Sequence, residues 1–287
     1  MTANLIMPGN YGREETLNLF PCTPSENLVW DSNSNEMTIW VDSPGGHNEY
    51  ETLLNQILNS NSKYKIMVLM EPLSLCPKNY EFVLQYEHLF DFIMSSYSNY
   101  GSHNPSKYGY YPGGSRTFIK PDDQKIYNKT KNISSIVSEK NKLIGHKLRH
   151  SIKDYHNENN MGLIDYLNPP IGSKIQGLKD YRFELVIENE NYSGFSEKPL
   201  DSILCGCIPI YWVPDDTSHL DMFDKNGFVF FKDQEDFFMM LDSDYFTEEL
   251  YISKLESIKN NFEVSKQYIS FGDVIWKYGI KDFMENK

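Results

Sequence analysis

Two pairs of polar residues in the second half of the sequence have side chains suited to a charged ligand. Glu188 and Asn189 directly follow the apolar run FELVI, and Glu197 and Lys198 precede a second apolar run, IPIYW. If both runs are parallel strands, the first pair lies beyond the carboxyl end of a strand, where open α/β sheets bind ligands. A helix capped by Ser196 would direct free N–H groups and the positive end of its dipole to the same place. With the Lys198 ammonium, this arrangement favours an anion such as a diphosphate.

The helix between the two runs has start and end signals. Ser196 is predicted to be its N-cap, Pro199 is tolerated in its first turn, and Gly206 is predicted to end it. From the pattern alone, an ordinary strand-to-helix turn is an equally good interpretation, because Asn, Ser and Glu are common at such turns.

Short apolar runs alternate with helical patterns along most of the chain, which is typical of parallel sheets with crossover helices. This alternation predicts an α/β fold with two parallel-sheet domains and a cleft between them, residues 1–130 and 131–287. The segment from Ser98 to Asn128 has no convincing period and is predicted to be a long loop. The tail from Glu248 to Glu285 is predicted to be helical. Strands are predicted in TIWVDSP, KIMVLMEP, FDFIMSSY, ISSIVS, FELVIEN, IPIYWV and GFVFF, and helices in EYETLLNQILN, KNKLIGHKLRHSIKDYH and EKPLDSILCG.

Composition and charge exclude several partners. The formal net charge of −13 argues against nucleic acid or an anionic membrane, because both are bound through clustered positive charge. No signal-peptide pattern begins the sequence, and no apolar run approaches the roughly 20 residues that span a bilayer. The four cysteines lack metal-ligand spacing and are expected to be buried thiols. We therefore expect a cytoplasmic protein without a transmembrane segment.

The segment FELVIENENYSGFSEKPLDSILCGCIPIYW resembles the signature of the α-1,3-fucosyltransferases, glycosyltransferase family 10. That signature combines a strand ending in Glu-Asn, a Y-x-T-E-K turn and a strand I-P-I-Y-W-G. Three further segments are similar to the family: SEKNKLIGHKLRHSI, which contains Arg149; HLDMFDKNGFVFF; and KIMVLMEP, whose last two residues are Glu71 and Pro72. The similarity is clear from about residue 130 to 270.

The resemblance implies a GT-B-like fold of two Rossmann-like domains, with the nucleotide sugar held by the C-terminal domain and the acceptor by the N-terminal one. It implies an inverting enzyme that moves fucose from GDP-fucose to a hydroxyl of a glycan or glycolipid, in an α-1,3 linkage, without a metal or other cofactor. Arg149 and Lys198 would stabilise the departing diphosphate, and Glu197 would bind hydroxyls of the ribose or sugar. Glu71 would be the base that accepts the acceptor proton, with Glu188 as the competing candidate.

The sequence departs from the family signature at three positions. Gly194 stands where the family has a tyrosine, so the ring contact to the donor would come from Tyr192 or Phe195. Ser196 replaces threonine, and Val213 replaces the glycine after the tryptophan.

Other functions use some of the same residue types. A glycosidase would need two carboxylates, but not the cations Arg149 and Lys198. A metal-dependent transferase would use an Asp-x-Asp motif, and the one at Asp242 and Asp244 follows a helical pattern, so we expect a helix end and turn there. A non-catalytic nucleotide-sugar or glycan binder, or a transferase for another nucleotide sugar, remains an alternative.

Overall fold

The chain folds into two compact units, each built on a parallel sheet. The computed structural model describes residues 1–7, 25–42, 50–191, 194–213 and 215–287. The first unit takes its residues from 1–116 and 270–287 and includes Gly194, and the second takes 117–191 and 195–269. The division therefore lies at residue 116, whereas the sequence predicts it at 130, and the C-terminal segment belongs to the first unit.

The first unit contains a six-stranded sheet in the order β2-β1-β3-β4-β5-β6, with every pairing parallel. All residues of the central strand β3 are buried. Its β-branched, apolar sequence suits a strand that is covered on both faces. The strands are β1 (Thr2–Ile6), β2 (Val29–Trp30), β3 (Met37–Val41), β4 (Tyr64–Leu69), β5 (Phe92–Ser95) and β6 (Tyr108–Tyr110).

Helices of the first unit cover this sheet with their apolar faces. The first of them buries Leu53 and Ile57, one turn apart, in a core that also contains Trp40 and Met67. The helices are α1 (Tyr50–Asn59), α2 (Pro77–Tyr86), α8 (Phe271–Ile275) and α9 (Lys281–Glu285), with a π-helical turn at Trp276–Ile280.

The second unit contains a five-stranded parallel sheet in the order β11-β10-β9-β7-β8. The chain order reverses between β7 and β9, which are neighbours in the sheet. Such a reversal is the point at which open α/β sheets bind ligands. The strands are β7 (Lys131–Ile136), β8 (Ile164–Leu167), β9 (Tyr181–Val186), β10 (Ile208–Trp212) and β11 (Val229–Phe231).

The helices of the second unit include the two that begin next to this reversal point. The hydroxyl of Ser196 accepts the backbone N–H of Lys198 at 3.2 Å and caps one of them, as predicted. Gly206 follows the end of that helix with φ of +75°, a conformation that favours glycine. The helices are α3 (Ile144–Glu158), α4 (Glu197–Leu204), α5 (Gln234–Asp242), α6 (Glu248–Ser253) and α7 (Leu255–Ser265).

Most predicted elements are present, and the prediction of a long loop is wrong in part. The predicted loop from Ser98 to Asn128 contains the strand β6, which pairs with β5 and is too short for a periodic signal. Helix α5 ends at Asp242 and Asp244 has φ of +52°, so the Asp-x-Asp triplet is a helix end and turn as predicted. Short 3-10 helices occur at Glu87–Leu89, Pro121–Asp123, Ile171–Gly177, Ser218–Leu220, Lys225–Gly227 and Lys266–Tyr268.

Two predictions concern the surroundings of the protein. Cys76, Cys205 and Cys207 are buried, as predicted, and Cys22 lies outside the described residues. Within the described ranges, no helix has the length and apolar character needed to cross a membrane.

Candidate functional site

The candidate site lies in the second unit, at the carboxyl edge of its sheet. Glu188 and Asn189 follow β9, one of the two strands at the reversal of strand order. Helix α3 follows the other strand, β7, and its first turn contacts the backbone of the same two residues. The sequence-predicted pair therefore lies at the position where this fold class places a ligand.

Glu188 is the centre of a hydrogen-bonded cluster. Its side chain is 4% exposed, and its Oε1 accepts the backbone N–H of Ser196 at 2.8 Å and the hydroxyl of Tyr211 at 3.1 Å. Its Oε2 accepts the hydroxyl of Ser196 at 2.7 Å and the ammonium of Lys198 at 3.0 Å. Burial alone would raise the pKa of Glu188, but Lys198 and the Ser196 donors outweigh burial, and the pKa lies below its ordinary value. Glu188 is therefore an ionised, fully engaged carboxylate.

Lys198 is fixed by the same cluster. Its Nζ donates to Glu188 at 3.0 Å and to the Ser196 hydroxyl at 3.1 Å, and its side chain is 20% exposed. An ammonium has three protons, so one donor remains for a ligand at this edge of the sheet.

Arg149 lies on α3 and is joined to the strand end. Its Nη2 donates to Asn189 Oδ1 at 2.8 Å, and its Nε donates to the carbonyl of Gly145 at 3.4 Å. The guanidinium is buried, which lowers its pKa, while the negative charges of Glu188 and Glu197 oppose that shift. Two cations, on the helices α3 and α4, thus flank one strand end.

His146 belongs to the same cluster, although it was not among the residues predicted from the sequence. Its Nε2 lies 3.1 Å from Asn189 Oδ1, and its Nδ1 accepts the backbone N–H groups of Lys142 and Leu143 at 3.3 and 3.2 Å. Burial, followed by the positive charge of Arg149, lowers its pKa. The only sequence signal is its position one turn before Arg149 on the same helix.

Gly145 explains how α3 comes so close to the strand end. Its backbone N–H donates to the carbonyl of Asn189 at 3.0 Å. A Cβ at this position would lie 1.7 Å from the carbonyl oxygen of Glu188. Only glycine allows this approach, which holds Arg149 and His146 within reach of Asn189.

Glu197 belongs to a second charged network under α4. Its carboxylate lies 3.6 Å from Nζ of Lys174, which also donates to Asp201 at 3.0 Å. Lys174 is partly exposed, with 14% of its side chain accessible, and its pKa is raised because Asp201 and Glu197 outweigh the effect of desolvation. Asp201 in turn accepts the hydroxyl of Thr117 at 2.6 Å and the N–H of Phe118 at 2.8 Å. Neither Lys174 nor Asp201 was predicted from the sequence. Lys174 is distant from Glu197 along the chain, and Asp201 lies one helical turn after Glu197 on α4.

The two aromatic residues predicted to replace the family tyrosine differ in placement. Phe195 is 1% exposed, and its ring packs edge-on against Phe223 and Tyr268 at 5.7 and 5.8 Å. This placement gives it a packing role. Tyr192 lies outside the described residues. A ring contact to a donor from either residue stays a prediction.

Glu71 lies in the first unit, two residues after the end of β4, and has a carboxylate neighbour that was not predicted from the sequence. Asp42 directly follows β3 and is buried, with φ of +49°. It accepts the N–H of Glu71 at 3.3 Å, the N–H of Met70 at 3.2 Å and the side-chain amide of Asn79 at 3.1 Å. Burial, with a further contribution from Glu71, raises the pKa of Asp42 to about 8. The sequence signal that could have identified Asp42 is its position at the end of a predicted strand, like that of Glu71.

No group of three or more His, Cys, Asp or Glu side chains within the described ranges is arranged to hold a metal ion. Metal independence of the chemistry stays a prediction.

Comparison with known proteins shows the fold. No family model matches the sequence, and no curated protein matches it. Among solved structures, an α1,3-fucosyltransferase is similar with a TM-score of 0.56 and 13% identity, over 100% of this chain and 91% of that chain. An α-glucosyltransferase, solved with UDP-glucose and DNA containing an abasic site, has a TM-score of 0.50 and 11% identity, over 99% of this chain and 98% of that one. The predicted fold class, with two parallel-sheet α/β units and GT-B glycosyltransferases as structural neighbours, is confirmed.

Proposed function

We propose that this protein is an inverting glycosyltransferase that moves fucose from GDP-fucose to a hydroxyl of a glycan or glycolipid, in an α-1,3 linkage. The observation that carries the proposal is the pair of cations, Arg149 and Lys198, held at the strand-order reversal of the second unit. The sequence resemblance of this segment to α-1,3-fucosyltransferases and the similarity to a solved α1,3-fucosyltransferase support it.

The two cations suit the leaving group of sugar transfer. As the nucleotide departs, negative charge develops on its diphosphate, and preorganised cations stabilise that charge. The guanidinium presents a planar set of donors, and the ammonium presents a point charge, so the two are complementary around a diphosphate. Glu188 holds Lys198 in place before a ligand arrives, which lowers the cost of ordering that side chain on binding.

The acceptor hydroxyl requires a base. In the proposed reaction, the acceptor oxygen bonds to the anomeric carbon while the bond from that carbon to the phosphate oxygen breaks. The proton passes from the hydroxyl to the carboxylate of Glu71, and GDP leaves with the electron pair. Glu188 is the weaker candidate for this role, because its two oxygens already accept four hydrogen bonds.

Glu197 is proposed to bind hydroxyls of the ribose or the sugar. Its carboxylate lies 3.6 Å from the ammonium of Lys174, which holds it at the start of α4. Asn189 and Ser196 complete the proposed donor site, with the amide of Asn189 as a hydrogen-bond donor.

The experiment that tests the function is calorimetric titration with GDP, GDP-fucose, UDP and UDP-glucose. We expect selective binding of the guanine nucleotides and a loss of at least about tenfold in GDP affinity, about 1.4 kcal/mol, in Lys198→Ala. Lys259→Ala is the matched control, because Lys259 is an exposed lysine of α7 in the same unit. Folded protein that binds none of the four ligands would overturn the proposal.

Two further functions have specific support. The similarity to an α-glucosyltransferase solved with UDP-glucose makes another nucleotide sugar the second candidate donor, and selective UDP binding would identify it. Gly194 in place of the family tyrosine favours a non-catalytic nucleotide-sugar binder. GDP binding without hydrolysis or transfer of GDP-fucose, in the presence of glycan acceptors, would identify that function.

A reducing compartment suits the proposed enzyme. Cys205 and Cys207 are buried thiols, and thiols are kept reduced in the cytoplasm. We accordingly propose a cytoplasmic location, and the net charge of −13 makes nucleic acid a poor acceptor.

A further inference from the structure

We infer that His146 is a positioning residue of the candidate nucleotide-sugar site, in which its neutral imidazole fixes the amide of Asn189 as a hydrogen-bond donor to the bound nucleotide. The inference rests on the proposed function, because it assigns a ligand contact to that site. It adds a residue to which the sequence resemblance assigns no role.

The orientation of the Asn189 amide follows from its two neighbours. The atom that faces Arg149 at 2.8 Å must be the amide oxygen, because a guanidinium only donates hydrogen bonds. Nε2 of His146 lies 3.1 Å from that same oxygen and must therefore carry a proton.

The other side of the imidazole requires the same tautomer. The backbone N–H groups of Lys142 and Leu143 both point at Nδ1 of His146, which must have its lone pair free to accept them. The Nε2–H tautomer thus makes three hydrogen bonds at once, and it joins the start of α3 to the end of β9. A histidine whose two nitrogens are both engaged in this way is held in a single orientation.

These contacts fix the side-chain NH₂ group of Asn189 as a hydrogen-bond donor with one orientation. Its oxygen is occupied by Arg149 and His146, and within the described residues its side-chain nitrogen has no hydrogen-bond partner. Asn189 is only partly buried, so this NH₂ group is available at the edge of the sheet. Its ligand must be an acceptor oxygen, and the nucleotide diphosphate supplies such oxygens next to Arg149.

Protonation of His146 would break this arrangement, because a proton on Nδ1 would face two backbone N–H groups. The charges around the ring act in the same direction: Arg149 on its own helix, Lys140 in the preceding loop and Lys198 on α4 all oppose a second proton. The hydrogen bond to Asn189 acts in the opposite direction, and the Glu188 carboxylate, next to Asn189 in the chain, is paired with Lys198. GDP affinity is therefore expected to fall as His146 becomes protonated at acid pH.

Two substitutions separate the two functions of the ring. In His146→Asn, the amide oxygen can take the place of Nδ1 as acceptor for the backbone N–H groups, but nothing reaches Asn189. In His146→Gln, the longer side chain can donate to Asn189, but the acceptor for the backbone is lost. His150→Gln is the matched control, because His150 is one turn further along α3 and its Nε2 contacts the carbonyl of Lys140.

The test is calorimetric GDP affinity between pH 5 and 8, with the melting temperature of each variant measured alongside. We expect His146→Asn to lose about fivefold in GDP affinity at pH 7.5, the equivalent of one hydrogen bond, while His146→Gln stays within about twofold of wild type. In wild type and His150→Gln, GDP affinity should fall at acid pH as His146 becomes protonated. Both His146 variants should show a smaller fall, because they lack this titration. The titration of GDP itself is common to all four proteins and cancels in the comparison.

Long-range ¹H–¹⁵N NMR of the ligand-free protein gives an independent readout. An Nε2–H resonance for His146 at pH 7.5 supports the inference, and an Nδ1–H tautomer overturns it. GDP binding by wild type with unchanged affinity and pH profile in both His146 variants overturns the inference alone. Folded wild type that binds no nucleotide overturns the proposed function and, with it, the ligand contact assigned to Asn189.

Discussion

At the scale of single residues, the pairing of Glu188 with Lys198 makes a pH-dependent prediction. The pKa of Glu188 lies below its ordinary value of 4.5, so the folded state favours its ionised form. The stabilisation is complete above about pH 5 and is lost as the pH falls through the folded pKa. Glu188→Gln keeps the shape but removes the charge, and we expect it to lower the free energy of unfolding by about 1–3 kcal/mol at pH 7.

The measurement is urea unfolding of wild type and Glu188→Gln between pH 3 and 7. The difference between the two proteins should shrink as the pH falls through the lowered pKa of Glu188, where this carboxylate gains a proton. A difference that stays constant over this range would contradict the ion pair as its source. Glu256→Gln, at an exposed residue, is the control.

Part of this site could be predicted from the sequence, because residues that flank apolar strands lie at the edge of the sheet. Glu188, Asn189 and Lys198 follow or precede strongly apolar strands, so their place at the sheet edge could be predicted from pattern. His146 and Asp42 could not, because their importance depends on which backbone groups the fold brings against them.

At the scale of elements, the close approach of α3 to the end of β9 is what assembles the site, and Gly145 permits it. A Cβ at Gly145 would lie 1.7 Å from the Glu188 carbonyl, so Gly145→Ala must push the helix away from the strand. We expect a loss of about 2–3 kcal/mol in the free energy of unfolding, a typical cost of overpacking, together with a large loss of GDP affinity.

Lys147→Ala is the matched control on the same helix, since Lys147 is exposed and alanine favours a helix. Chemical denaturation and GDP titration of both variants test the prediction. Wild-type stability in Gly145→Ala would show that the helix start is not held against the strand end.

Element prediction from the sequence succeeded where apolar runs are continuous. Strands β3, β4, β9 and β10 are buried on both faces, which produces such runs. Strand β6 has only three residues, Tyr108–Tyr110, in a segment rich in Gly and Pro, so its pairing with β5 has no local signal. The return of the C-terminal segment to the first unit is a long-range contact that no local pattern encodes.

At the scale of the whole molecule, each unit contains one buried carboxyl whose pKa is raised to about 8. Burial, with Glu71 nearby, raises the pKa of Asp42 in the first unit, and burial raises that of Glu184 in the second. The folded state therefore holds these protons more tightly than the unfolded state, in which the ordinary values are 3.8 and 4.5. Each group costs the protein stability as the pH rises from about 4 to about 8, at up to about 1.4 kcal/mol per pH unit.

Asp42→Asn and Glu184→Gln remove these titrations while preserving one acceptor oxygen each. We expect the stability of each variant relative to wild type to grow between pH 5 and 8 and to level off above pH 8. The difference between variant and wild type is the quantity to measure, by urea unfolding, because Glu188 and Asp273 have lowered pKa values and act in the opposite direction. If the stability of a variant relative to wild type does not grow between pH 5 and 8, the carboxyl that the substitution replaces is already ionised at neutral pH.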